Sequence, residues 1–88
     1  MSTKKMLVSK LTAKPLPRNF TVKELDSLMV KCNCEKYQGG RGSGIGYRHI
    51  PTNRAIQFDE PHPGKELYLY QVKAVIAFLR DLREIGED

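Results

Sequence analysis

Five of the chain's seven glycines stand within Gly39-Gly40-Arg41-Gly42-Ser43-Gly44-Ile45-Gly46-Tyr47. Glycine at nearly every second position opens positive φ to the backbone and disfavours a regular helix. The chain is divided at this stretch, and what stands on either side must be a scaffold joined by a loop. The same glycines leave amide N–H groups bare to close approach by an anionic oxygen. Arg41 and Ser43 add a guanidinium fork and a hydroxyl to one short turn, a combination that suits a phosphate. A nucleotide P-loop is disfavoured because no Gly-Lys-Ser/Thr follows. A dinucleotide fingerprint is disfavoured too, since Ile45 and Tyr47 fall where its third glycine would have to be. The plain alternative is a glycine-rich hairpin loop chosen for flexibility.

Eighty-eight residues make one small domain with a sufficient but not generous core, which leaves no room for a deep two-lobed enzyme pocket. There is no apolar run of bilayer length and no signal-peptide core, so the chain reads as cytosolic and free of the membrane. Cys32 and Cys34 are too close for an unstrained disulfide, and the two histidines, His49 and His62, are too scattered to complete a metal site with them. Reduced, partly buried thiols are expected. The net charge of +5 lies in the first 18 residues, where Lys4, Lys5, Lys10, Lys14 and Arg18 face no acid. Around the glycines, Lys31, Lys36, Arg41, Arg48 and Arg54 are opposed only by Glu35, and such a band attracts a polyanion such as RNA. A merely solvated basic surface is the alternative.

Residues 1–18 end in Pro15-Leu16-Pro17, which favours extended backbone, and read as a basic arm with at most one helical turn. Residues 19–88 read as the domain proper. Thr21-Val22-Lys23-Glu24 is a capping-box pattern with Phe20 just ahead of it. Val22, Leu25, Leu28, Met29 and Cys32 then follow at helical spacing, so a helix is expected from Thr21 to about Lys31. Strands are expected at 35–38, 45–50 and 55–58, with turns at the glycine loop and at 51–54. Pro61-His62-Pro63-Gly64 breaks regular structure and holds His62 in a stiff loop. From about Leu69 a second helix is expected, with Val72, Val75, Ile76, Leu79 and Leu82 on its apolar face, Gln71, Lys73, Arg80 and Arg83 away from it, and Gly86 as its stop. The order α-β-β-β-α gives an α+β two-layer sandwich, two helices on one face of a three-stranded antiparallel sheet.

Gly39-Gly40-Arg41-Gly42-Ser43, a Tyr47-Arg48-His49 strand, Pro61-His62-Pro63-Gly64-Lys65-Glu66-Leu67 and a final helix carrying Val72, Lys73, Ile76, Phe78 and Leu79 together closely resemble the HicA family of bacterial toxins. The resemblance covers about residues 19–85. It implies a double-stranded-RNA-binding-domain-like fold and cleavage of mRNA without metal or cofactor, under the control of a HicB-like antitoxin that covers the active site. In many members a catalytic histidine directly follows the glycine-serine pair. Here Gly44 follows Ser43.

Metal-free RNA cleavage needs a base for the 2′-hydroxyl proton, positive charge for the developing phosphorane and an acid for the leaving oxygen, and imidazole suits both proton transfers. The catalytic candidates are therefore His62 and His49. The candidates for RNA or phosphate binding are Arg41, Gly42, Ser43, Gly44, Arg48 and Lys65, with Tyr37 and Tyr47 as rings on which unpaired bases could stack. Each has a structural counter-reading: His62 fixing its loop to the sheet, His49 half-exposed on a strand, the tyrosines as cross-strand partners. An RNA-binding or antitoxin-binding module without catalysis, or an interaction protein for an acidic partner, is the alternative to an active ribonuclease.

Overall fold

A computed structural model of the chain describes residues 3–38, 44–59 and 66–86. Helices α1 (Lys4–Leu11) and α2 (Val22–Lys31) are followed by strands β1 (Cys34–Gln38), β2 (Gly44–His49) and β3 (Arg54–Asp59), and then by helix α3 (Leu69–Asp81). The strands form one antiparallel sheet in the order β1-β2-β3. From α2 onward this is the expected α-β-β-β-α sandwich.

Helix α2 starts where its capping box puts it. The Thr21 hydroxyl accepts the Glu24 N–H at 3.1 Å and the Glu24 carboxylate accepts the Thr21 N–H at 3.0 Å, so two N–H groups that a helix start leaves open are satisfied at once. Phe20, fully buried ahead of the cap, fixes the entry of the chain.

Strand alternation then decides which face of the sheet is covered. Ile45, Tyr47 and His49 of β2 are buried, Cys34 pairs with His49, and Ile56 and Phe58 pair with Tyr47 and Ile45. Those residues share one side, because neighbours in a strand point to opposite faces. All but His49 join Leu25, Leu28 and Met29 of α2 and Val72, Val75, Ile76 and Leu79 of α3 in a single core. On the open side Tyr37 lies across Gly46, where an added Cβ would meet the Tyr37 ring at 2.5 Å. Only a residue without a side chain fits beneath that ring.

The first eighteen residues depart from the expected arm. Residues 4–11 form a two-turn helix with Leu7 and Leu11 buried in the main core. A helix of eight residues is marginal by itself; burial of two leucines at i and i+4 holds it. The ion pair of Lys10 with Glu24, at 2.8 Å, ties it to the α2 cap.

Helix α3 also ends earlier than expected, five residues before Gly86. Arg83 takes a positive φ of 60°. Its N–H donates to the Arg80 carbonyl and the Glu84 N–H to the Leu79 carbonyl, each at 3.0 Å. This paired closure is the usual work of a glycine. Both cysteines are free and buried, as expected, and burial pushes the Cys34 thiol up to about 11, with the neighbouring Cys32 and Glu84 adding to the shift. Among the described residues, no helix is long and apolar enough to cross a membrane.

Candidate functional site

One end of the sheet gathers the anchor points of both motif-bearing loops. The glycine loop leaves β1 at Gln38 and re-enters at Gly44, which pairs directly with Asp59, the last residue of β3 and the point from which the second loop departs. That second loop returns at Glu66, which bridges to Thr21, and at Leu67, whose N–H donates to the Phe20 carbonyl at 2.8 Å. The N-termini of α2 and α3 therefore stand at this end as well, with the positive ends of their dipoles, which favours an anion. Arg41, Gly42, Ser43, His62 and Lys65 lie outside the described residues; what is fixed is where their loops begin and end.

Gln71 holds this end together. The polar-face expectation for it is overturned: it is fully buried, because its amide is satisfied at both ends. Its Oε1 accepts the Tyr68 N–H and its Nε2 donates to the Asp59 carbonyl, both at 2.9 Å. A buried amide bonded this way costs little, and here it clamps the start of α3 to the end of β3.

The remaining site candidates are distributed along β2. Gly44 is the first residue of the strand and is half-buried; by alternation a side chain at this position would project from the open face. Arg48 lies on that same face four residues on, roughly 14 Å along the strand. It is ion-paired with Glu35 and donates to the Asn53 Oδ1 at 2.7 Å, so its charge is already matched.

His49 is at the far end of β2, roughly 17 Å along the strand from Gly44. It is 3% exposed. Its Nδ1 is 2.8 Å from the Thr52 hydroxyl and its Nε2 is 2.7 Å from Glu84 Oε2. Both ring nitrogens are engaged inside the protein, which makes His49 a tie at this end of the sheet. Glu84 collects two further partners, Asn33 Nδ2 at 3.2 Å and Lys4 Nζ at 3.4 Å. Desolvation pushes its carboxyl up, but the bonds from His49, Asn33 and Lys4 outweigh that and hold it below the usual range.

Of the two stacking candidates, Tyr47 is corrected: it is fully buried, with its hydroxyl donating to Asp26 Oδ1 at 2.5 Å. Tyr37 is half-buried on the open face, where it covers Gly46 and donates to Gln57 at 3.1 Å. Further aromatic surface lies on Tyr68 and Tyr70 at the start of α3, 46% and 62% exposed. Tyr70 gives a sequence signal for this, since it stands off the stripe of Val72, Val75, Ile76 and Leu79, on the polar side of the helix.

Comparison with curated proteins and with solved structures returns no match. The family model for the HicA toxin of bacterial toxin–antitoxin systems, by contrast, matches residues 22–86, from the first residue of α2 to the end of the described chain. The match spans both loops, the three strands and helices α2 and α3, so the chain belongs to the HicA family of toxins, proteins that are paired with an antitoxin.

Proposed function

We propose that the protein is a metal-independent endoribonuclease that cleaves mRNA and is neutralised by a HicB-like antitoxin covering the loop end of its sheet. The observation that carries this reading is the convergence of the two loop anchors, through the Gly44–Asp59 pair and the Gln71 clamp, beside two helix N-termini. In this reading the loop of Arg41, Gly42, Ser43 and Gly44 cradles a phosphate with its N–H groups, and Arg41 and Lys65 balance the charge of the phosphorane. His62 takes the proton of the 2′-hydroxyl. The 2′-oxygen then attacks phosphorus as the bond from phosphorus to the 5′-oxygen breaks, and that oxygen takes a proton from solvent water, giving a 2′,3′-cyclic phosphate and a 5′-hydroxyl. Arg48, matched by Glu35, and His49, matched by Glu84, take no part.

A second reading is favoured by one specific residue. Gly44 stands where many relatives carry a catalytic histidine, so a member that binds RNA or its antitoxin without cleaving is the alternative. Cleavage of a mixed RNA in EDTA by the unmodified chain, His62→Ala and Gly44→His separates the two. The ribonuclease reading expects the unmodified chain to cut and His62→Ala to lose about 100-fold to 10,000-fold in rate. Cutting by Gly44→His alone would establish the silent member, and cutting by neither protein would refute the ribonuclease reading.

A further inference from the structure

We infer that Tyr68 and Tyr70 form the base-binding platform of this site, on which unpaired bases of single-stranded RNA stack. The inference rests on the RNA-cleaving reading above and names the part of the substrate held beside the loops. The two ring centroids are 6.0 Å apart with an angle of 19° between the planes, within the range of offset stacking. Residues two apart inside a helix point away from each other. Here Tyr68 is the N-cap, with an extended backbone at φ −70° and ψ 155°, and this brings its ring alongside that of Tyr70.

The pair is held firmly to the loop end of the sheet. Gly44 pairs with Asp59, the Asp59 carbonyl accepts from Gln71, and Gln71 in turn accepts the Tyr68 N–H. The platform is thus linked by direct bonds to the strand position that ends the glycine loop. Large rings left this exposed contribute little to the core, and Leu69 between them, 38% exposed, widens the apolar surface.

Among the described residues, those that lead into the platform offer a phosphate no cation: Asp59, whose carbonyl Gln71 holds, and Glu66, two residues before Tyr68, are both exposed acids, and an uncharged base needs no such partner. Stacking also favours unpaired nucleotides, because a base within a duplex already has both faces covered.

The test is affinity for a single-stranded RNA oligonucleotide carrying 2′-O-methyl groups, which blocks cleavage, measured by fluorescence anisotropy across a salt series. Tyr70→Ala and Tyr68→Ala are each expected to weaken binding roughly 5-fold to 150-fold. Tyr→Phe at either position restores it, and the slope of log affinity against log salt stays unchanged because no phosphate contact is lost. Abasic nucleotides in the RNA should abolish the difference between the alanine variants and the unmodified chain. Equal binding of RNA by the alanine variants, a changed salt slope, or loss of antitoxin binding with RNA binding intact would each overturn the platform while leaving the RNA-cleaving reading in place. If the unmodified chain binds no RNA, both fall together.

Discussion

Replacing Glu84 by alanine removes one carboxylate and unties three elements at once. Its partners are Lys4 at the start of α1, Asn33 just beyond α2 and His49 at the end of β2. The Lys4 pair is 3.4 Å long with the lysine side chain 40% exposed, so it contributes about 0.5 kcal/mol at most. The Asn33 bond is exposed and adds roughly as much. His49 decides the total: at 3% exposure its Nε2–H would be left buried without an acceptor, which costs about 1–3 kcal/mol. Glu84→Ala is therefore expected to lose about 2–4 kcal/mol, read as a fall in Tm of roughly 8–30 °C for a domain of this size. Glu84→Gln keeps an acceptor for His49 and should lose only about 1 kcal/mol.

The assay is urea and thermal unfolding, followed by circular dichroism and combined with His49→Ala in a double-mutant cycle. A loss below about 0.5 kcal/mol for Glu84→Ala, or additivity with His49→Ala, would refute the reasoning. There is also a pH signature. Because the folded Glu84 carboxyl titrates below its ordinary value of 4.5, its stabilisation is fully present above that value and is lost as pH falls through the lower, folded one. Glu84→Gln should make acid unfolding correspondingly less steep.

Two further outcomes are expected. Leu11→Ala should lose about 2–5 kcal/mol in the same unfolding assay, because Leu11 is fully buried and its loss leaves a cavity; a loss under about 0.5 kcal/mol would show that α1 is not part of the folded unit. Gly46→Ala should cost about 1–2 kcal/mol, since its Cβ would sit 2.5 Å from the Tyr37 ring. The same change in a Tyr37→Ala background should cost nothing measurable, and an equal cost in both backgrounds would exclude the ring as the cause.

What could be read from the residues alone was local. Thr21 and Glu24 declare the start of α2 within four positions, and the alternation around Tyr47 declares β2. What could not be read was settled by distant partners. Leu7 and Leu11 sit among lysines with too few apolar neighbours to announce a helix, and only the core they meet makes one. Gln71 reads as a surface residue until Asp59, twelve positions earlier, presents a carbonyl to it. His49 reads as a candidate base until Glu84, 35 positions later, takes its ring nitrogen. The loop end was readable because its anchors follow from strand pairing, and the tyrosine pair was missed because an N-cap breaks helical periodicity.

The link between Lys4 and Glu84 spans 80 positions, and it bears on how the toxin comes off the ribosome. Chains are made from the N-terminus, so α1 and α2 emerge before the strands and can join through Lys10 and Glu24. The carboxylate that also holds α1, β2 and the end of α2 is made after all three of them. Until then His49 has no acceptor and the far end of the sheet is untied. The far end of the sheet is therefore tied only once the residues just after α3 have followed β2 out by 35 positions.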